Sequence, residues 1–257
     1  MKLPIQLTIG LPVKEERFGK PAETMRDVRS AIEIMHEYTV RYYDPEWDGA
    51  SRSNKVIIYE EIAESGDPVK ARERLVNNMR GSYLLMLDAD TMPDQDTLVK
   101  LLEADKDIIS CPMVTTVYPN FLNVFRQRGD TWDFQPWVLD DDYTRADVLN
   151  GRIMECDAHG FGMILFKREV FDNVPPPWFS RMQHKIWPCM TYGHDVSFSI
   201  RAREAGLKIY THFGTAVKHA TVGWLDYSAH LQAIDNDEML RRSLKEWDNI
   251  QEVVIAD

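Results

Sequence analysis

Cysteine is scarce in this chain of 257 residues, and the three that are present, Cys111, Cys156 and Cys189, form no CxxC motif. An odd and widely spaced set argues against a disulfide framework or a zinc site, so we expect free thiols in a reducing compartment. Basic residues are also in deficit: 30 Lys and Arg stand against 41 Asp and Glu, for a formal net charge of −11. The chain therefore lacks the overall positive charge that is typical of nucleic-acid-binding proteins.

Long apolar runs are absent as well, since a membrane-spanning helix needs about 20 consecutive apolar residues. The N-terminal stretch MKLPIQLTIGLP carries one lysine, an early proline and polar residues within its apolar run, unlike a secretory signal. We therefore expect a cytoplasmic protein with no membrane span. The hydrophobic fraction of 44% is sufficient for a sizeable core.

Strand and helix patterns alternate along the first 115 residues. In chain order they are a strand at 5–13, a helix at 22–42, a strand at 55–61, a helix at 68–81, a strand at 82–90, a helix from Pro93 and Asp94, and a strand at 106–114. This alternation predicts an α/β fold with a mostly parallel sheet flanked by helices.

The second half of the chain is less regular. The stretch 115–150 is rich in proline and tryptophan and predicts either a hairpin insertion or a long loop. Strands and a glycine turn return at 152–174, a helix is expected at 193–206, and helical spacing reappears at 226–250. We predict one domain over 1–225, with halves at 1–115 and 116–225, followed by a C-terminal helical extension at 226–257.

The stretch YLLMLDAD at 83–90 ends an apolar strand in two carboxylates, Asp88 and Asp90. In an open parallel sheet, ligands bind outside the carboxyl ends of the strands. Alternation along an extended chain would aim both carboxylates to one side, where leaving both ionised is costly without a cation. Hard oxygen ligands favour Mg²⁺ or Mn²⁺. Taken alone, the pair is equally compatible with a solvated strand end.

Three segments in the same order add to this pair: ARERLVNNMRGSYLLMLDAD, CDAHGFGMILFKREVFDNVPPPWF and GHDVSFSIRAREAGLKIY, with a late His in KHA. Together they resemble the GT-A glycosyltransferases, family-2-like members in particular, over roughly residues 5–220. That family has a Rossmann-like fold and transfers a sugar from a nucleoside diphosphate sugar, with UDP-sugars favoured. One departure is that His194 stands where the family often has Glu.

The resemblance implies a metal site and a nucleotide site. Asp88 and Asp90 would hold Mn²⁺ or Mg²⁺ on the diphosphate, and His219 matches a third metal ligand of several members. The residues that match nucleotide-sugar-binding positions are Leu11 and Pro12 in the first loop, Glu60 at the end of the second strand, Arg74 and Asn77 before the DxD motif, Asp88, Ala89, Gly160 and Gly162. An ordinary loop histidine remains the alternative for His219, and a plain hairpin turn remains the alternative for the two glycines.

Asp195 matches the catalytic base of inverting members, which takes the proton from an acceptor hydroxyl. A carboxylate at a helix start is also a common cap, and one oxygen can cap while the other faces the acceptor. Trp178 and Phe179 are predicted either to stack on a sugar or to belong to the core. The run from Asp140 to Asp142 is predicted to be a solvated loop.

Three functions compete at this point. The leading one is a metal-dependent, inverting glycosyltransferase. A nucleotidyltransferase acting on a sugar phosphate would also use a sheet-end carboxylate pair, but GLPVKEERFGKPAE after the first strand has few glycines for its loop. A non-catalytic nucleotide-sugar or glycan-binding module is the third. The acceptor remains open among a glycan, a protein and a modified DNA base, with the insertion and the loop at 178–192 as its expected walls.

Overall fold

The computed structural model describes residues 4–13, 22–115, 121–129, 133–185, 189–215, 217–220 and 224–225. The predicted C-terminal extension at 226–257 lies outside these residues. In chain order the strands are β1 (Ile5–Val13), β2 (Val56–Glu64), β3 (Tyr83–Leu87), β4 (Thr91–Pro93), β5 (Ile108–Ser110), β6 (Val124–Arg128), β7 (Asp133–Pro136), β8 (Ile153–Cys156), β9 (Ala158–His159), β10 (Met163–Lys167), β11 (Ile209–His212), β12 (Val217–Ala220) and β13 (Trp224–Leu225). The helices are α1 (Ala22–Tyr43), α2 (Pro68–Asn78), α3 (Thr97–Glu103), α4 (Arg145–Leu149), α5 (Glu169–Asn173) and α6 (His194–Glu204).

A central sheet of seven described strands runs in the order β2-β1-β3-β10-β5-β11-β8. Strands β2, β1, β3, β5 and β11 share one direction, while β10 and β8 run against their neighbours. The predicted α/β class, with a mostly parallel sheet flanked by helices, is confirmed. The sequence pattern did not predict that β10, from the second half of the chain, separates β3 from β5.

Both faces of the sheet are covered, which explains the continuous apolar run in β3. Leu84 and Met86 face a core that includes residues of α2, α5 and α6, whereas Leu85 and Leu87 face a core that includes residues of α1 and α3. A strand buried on both faces needs apolar residues at every position rather than at alternate ones. The strand therefore has no polar side chain until it emerges at Asp88.

Helix α2 is fixed to the sheet at both its start and its buried face. Asp67 caps it by accepting a hydrogen bond from the Val69 N–H at 3.0 Å, and Pro68 occupies the first helical position. Gly10 of β1 permits a close approach, because a Cβ there would lie 3.0 Å from the Leu75 side chain. The helix consequently presents its buried side, which includes Arg72, toward the end of β3.

Two small sheets flank the central one. Strand β4 pairs with β12, which also pairs with β13, and β6 pairs with both β7 and β9. The helix predicted to open at Pro93 and Asp94 begins later, at Thr97, because residues 91–93 extend to pair with β12. This pairing positions the site described below.

The insertion contains a hairpin, β6–β7, and the short helix α4, which supports the hairpin alternative for the described part of 115–150. Asp142 is not a solvated carboxylate as predicted. It forms an ion pair with Arg126 and accepts a hydrogen bond from the Val138 N–H at 2.7 Å, so it organises the turn after the hairpin. Among the helices of the described residues, none combines the length and apolar character that crossing a bilayer requires.

Candidate functional site

The end of β3 is held in a tight turn that exposes two carboxylates. The Asp88 N–H donates to the Gly162 carbonyl at 2.8 Å, and the Thr91 N–H donates to the Asp88 carbonyl at 3.0 Å. Ala89 and Asp90 occupy the turn between these bonds. The chain then enters β4, where Thr91 is fully buried. Backbone bonds on both sides therefore fix where the two carboxylates emerge.

Strand pairing brings His219 to this turn from far along the sequence. In the β4–β12 register His219 lies opposite Thr91, and the Ala220 N–H donates to the Asp90 carbonyl at 2.9 Å. The His219 Nε2 atom lies 3.6 Å from Asp90 Oδ2, and both side chains are largely buried. We call Asp88, Asp90 and His219 the aspartate corner.

The second nitrogen of His219 is also engaged. Its Nδ1 atom lies 2.9 Å from the Val114 carbonyl oxygen. Because a carbonyl can only accept, Nδ1 carries a proton, and Nε2 is the ring nitrogen that faces Asp90. Histidines that ligate metals commonly hold the other ring N–H against a backbone carbonyl in this way. The Asp90–His219 pair thus has the donor chemistry and the supporting contact of two metal ligands.

Asp88 has a buried arginine as a partner. Its Oδ1 accepts a hydrogen bond from Arg72 Nη2 at 2.6 Å, and the Arg72 side chain is only 4% exposed. Among the described residues, no three His, Cys, Asp or Glu side chains form a group arranged to hold a metal. At the corner, Asp90 and His219 therefore lie side by side, and one oxygen of Asp88 is directed to a guanidinium.

The start of α6 forms the other side of the candidate site. Asp195 lies in its first turn, and Asp195 Oδ1 accepts a hydrogen bond from the Val196 N–H at 2.9 Å. Oδ2 has no hydrogen-bond partner within the described part of the chain. Gly193 leaves room for this carboxylate, because a Cβ at that position would lie 2.5 Å from Asp195 Oδ1 and would displace the side chain. One oxygen is anchored to the helix start, and the other remains available.

His194 precedes this carboxylate and is neutral at physiological pH. Burial, together with the charges of Arg72 and Arg181, lowers its pKa to about 4 against the opposing effect of Asp195 and Asp67. Phe161 connects the two sides of the site, since its ring centroid lies 6.0 Å from the Arg72 guanidinium carbon and 6.3 Å from the His194 ring. The carboxylate end of β3 and the start of α6 are therefore neighbours across one phenylalanine.

The residues predicted to bind the nucleoside are placed differently from the expectation. Strands β1 and β2 extend to Val13 and Glu64, so Leu11, Pro12 and Glu60 lie within strands rather than in a loop or at a strand end. Leu11 is buried in the core. Glu60 is exposed, and its Oε1 atom lies 3.8 Å from His36 Nδ1 of α1. Pro12 pairs with Ala63 near the carboxyl end of β1.

Arg74 and Asn77 lie on the exposed side of α2. The Arg74 guanidinium donates to the Glu64 carbonyl at 3.4 Å, and the Asn77 amide donates to the Glu73 carbonyl at 2.9 Å. Among the described residues, neither is hydrogen-bonded to Asp88 or Asp90. The residue of this helix that reaches the carboxylates is Arg72.

Gly160 and Gly162 are buried and lie close to neighbouring side chains. A Cβ at Gly160 would lie 2.9 Å from the Asn123 side chain, and one at Gly162 would lie 2.3 Å from the Met113 methyl group. Neither has the positive φ that favours glycine in tight turns. Gly162 still acts on the site, since its carbonyl accepts the Asp88 N–H.

The aromatic turn after α5 belongs to the core. Phe179 is fully buried and stacks on Phe198 with ring centroids 5.2 Å apart. The Trp178 indole N–H donates to the Val174 carbonyl at 2.8 Å. Glu73 of α2 holds the turn by accepting the Phe179 N–H at 2.7 Å, and burial raises the pKa of this carboxyl. The core alternative for Trp178 and Phe179 is therefore the one the structure supports.

Arg72 is the residue that the sequence interpretation undervalued. It shares the buried face of α2 with Leu75 and Val76, at helical spacings of three and four residues. An arginine at such a position must have an anionic or polar partner. The spacing alone therefore distinguishes Arg72 from Arg74, although it does not identify Asp88 as the partner.

No protein-family model and no curated protein matches the chain. Among solved structures, GalNAc-T7 with UDP, GalNAc and Mn²⁺ aligns with 14% identity and a TM-score of 0.49, covering 83% of this chain and 43% of that one. A197 from STIV aligns with 14% identity and a TM-score of 0.45, covering 84% and 86%. TarS 1-349 from S. aureus aligns with 12% identity and a TM-score of 0.39, covering 81% and 57%. At these scores the likenesses carry no weight for function, which depends on the site itself.

Proposed function

We propose that the chain is a metal-dependent glycosyltransferase that moves a sugar from a nucleoside diphosphate sugar, with UDP-sugars favoured, to an acceptor hydroxyl. The observation that carries this proposal is the Asp90–His219 pair. Strand pairing sets its ligand atoms 3.6 Å apart at the carboxyl edge of a mostly parallel sheet. That edge is where open α/β sheets bind their ligands.

Asp90 and His219, with Asp88 beside them, would hold Mn²⁺ or Mg²⁺. A carboxylate and an imidazole are compatible with both ions, and the imidazole favours Mn²⁺. When bound, the ion supplies a Lewis acid that stabilises the negative charge of the nucleoside diphosphate leaving group. Pro12 and Ala89, which lie at the ends of β1 and β3, are retained in the proposal as nucleotide contacts.

Asp195 is proposed as the base that receives the proton of the acceptor hydroxyl. Its Oδ1 is fixed by the Val196 N–H, which orients the side chain, while Oδ2 is available to an acceptor. Attack by the acceptor oxygen from the side opposite the leaving diphosphate inverts the anomeric carbon. The neutral His194 beside it adds no second charge at this position.

The test is a panel of nucleotide sugars with detection of the released nucleoside diphosphate, with and without Mn²⁺ or Mg²⁺. The proposal predicts release that depends on the cation. Cation-independent release would remove the metal assignment, and no release from any donor would remove the activity. Parallel incubation with nucleoside triphosphate and sugar phosphate, read by pyrophosphate release, separates the nucleotidyltransferase alternative. Binding of a donor without turnover would favour the non-catalytic module.

A further inference from the structure

Arg72 is the most deeply buried cation of the described residues near the site, and its hydrogen bonding is incomplete. One nitrogen, Nη2, bonds to Asp88 at 2.6 Å. Its Nε atom is buried and has no hydrogen-bond partner in the described structure. A buried guanidinium with an unused donor is costly, so its ion pair with Asp88 is the main contact that compensates for burial.

The position of Arg72 is set independently of the carboxylate. Ala71, Leu75 and Val76 anchor the same face of α2 in the core, and the Phe161 ring lies beneath the guanidinium at 6.0 Å. The core packing of α2 therefore fixes the backbone from which the arginine side chain reaches the site. Asp88, which is 30% exposed, is the more accessible partner of the pair.

A divalent ion at the aspartate corner would meet this fixed positive charge. Like charges a few ångströms apart repel strongly in a partly buried site. The ion would also compete with Arg72 for the oxygen atoms of Asp88, because a carboxylate oxygen that accepts a short charge-assisted hydrogen bond is a weaker ligand. Both effects reduce the affinity of the corner for the cation while keeping Asp88 oriented.

We propose that Arg72 is a positioning residue that holds Asp88 in place and weakens the binding of a divalent cation to the aspartate corner. This inference rests on the proposed function, because it assumes that the corner is a cation site. Helix α2 would then help to set the affinity of the corner for the cation. The residue that sets it is Arg72 rather than the exposed Arg74.

The test compares Mn²⁺ affinity by calorimetry for the wild type, Arg72→Gln and Arg72→Lys. Lys70→Gln is the matched control, since it removes one exposed positive charge from the same helix. Arg72→Gln is expected to lower the Mn²⁺ dissociation constant by about ten-fold or more, because the opposing charge is gone. Arg72→Lys is expected to change it less, and Lys70→Gln not to change it.

Without metal, Arg72→Gln is expected to melt at a lower temperature than the wild type, and Mn²⁺ is expected to restore more of its stability. A merely structural role would predict equal or weaker Mn²⁺ affinity in Arg72→Gln, and that result would overturn the inference while leaving the proposed function intact. Binding by Arg72→Gln but not by the wild type would support the inference and contradict metal dependence. Absence of binding in both proteins would contradict both proposals.

A second measurement uses the wild type alone and does not depend on the folding of a variant. With ¹⁵N-labelled arginine, the Arg72 Nη2–H resonance is expected to shift and to exchange faster with water as Mg²⁺ is added. The shift follows from weakening of the Asp88 bond. A resonance that is unchanged at Mg²⁺ saturation would contradict the inference.

Discussion

The aspartate corner, through Arg72, and the start of α6, through His194, both approach Phe161, but they differ in how their polar groups are occupied. At the corner, Asp88 is bonded to Arg72 and Asp90 lies against His219. At the start of α6, one oxygen of Asp195 has no hydrogen-bond partner in the described structure, and the neighbouring His194 is neutral. Under the proposed function, the corner would hold a cation in place and the helix start would accept a proton.

The largest effect is expected for Asp195→Asn. An amide cannot take the acceptor proton, so sugar transfer should fall by roughly 10²–10⁴-fold while donor affinity is unchanged. Transfer rates and donor titration measure the two quantities separately, with Glu204→Gln on the same helix as the control. Transfer at the wild-type rate would show that the helix start is not the proton acceptor.

Asp90→Asn should weaken metal binding at the aspartate corner, the other of the two regions compared. An amide oxygen is a weaker ligand than a carboxylate, so Mn²⁺ affinity should fall by roughly 100-fold. Loss of a residue that only supports a metal ligand already lowers metal affinity by about 10- to 100-fold, and loss of a ligand should cost at least as much. Calorimetry measures this loss, and Asp94→Asn, an exposed carboxylate after the same turn, is the control. Equal affinities in the two variants would remove Asp90 from the metal site.

A smaller effect concerns His194 and pH. Its folded pKa of about 4 lies below the ordinary value of 6.5, so the unfolded chain binds the proton more readily. Stability is therefore fully present above about pH 6.5 and is lost as the pH falls toward 4, by about 2 kcal/mol after allowance for partial exposure. Urea unfolding across this range measures the loss, and His194→Gln should flatten the curve. An unchanged slope in that variant would contradict burial of the neutral ring.

The smallest effect is expected for Glu73→Gln, which retains an acceptor for the Phe179 N–H but loses the charge. The aromatic turn should remain in place, with a loss of about 1 kcal/mol in the free energy of unfolding. Urea unfolding measures this loss, and Glu169→Gln on the exposed side of α5 is a suitable control. A loss of several kcal/mol would show that the turn beside α6 depends on the Glu73 charge itself.

Sequence patterns predicted the α/β class and the emergence of Asp88 and Asp90 from a buried strand, because both depend on local periodicity. They did not predict that β10 lies between β3 and β5, since this pairing joins residues about 80 positions apart. The predicted second strand ended at residue 61, three residues before the end of β2 at Glu64. Glu60 was therefore wrongly placed at the end of the strand. Strand ends depend on pairing with β1 as well as on local composition.

The candidate site likewise combines features that local sequence patterns indicate with contacts that only long-range packing sets. His219 was predicted from a resemblance, and its approach to Asp90 depends on the β4–β12 register, which no local pattern encodes. The Arg72–Asp88 bond likewise joins a helix and a strand whose relative position is set by core packing. The sequence interpretation did not predict that Arg72 is buried, and only the fold shows that its partner is the first aspartate.

The most direct test of the metal site is a crystal of the protein soaked with Mn²⁺ and a nucleoside diphosphate, measured for anomalous scattering from manganese. The account predicts an anomalous peak between Asp90 Oδ2 and His219 Nε2, with the diphosphate beside it. Absence of a peak, with Asp90 still directed at His219 and Asp88 still bonded to Arg72, would contradict it.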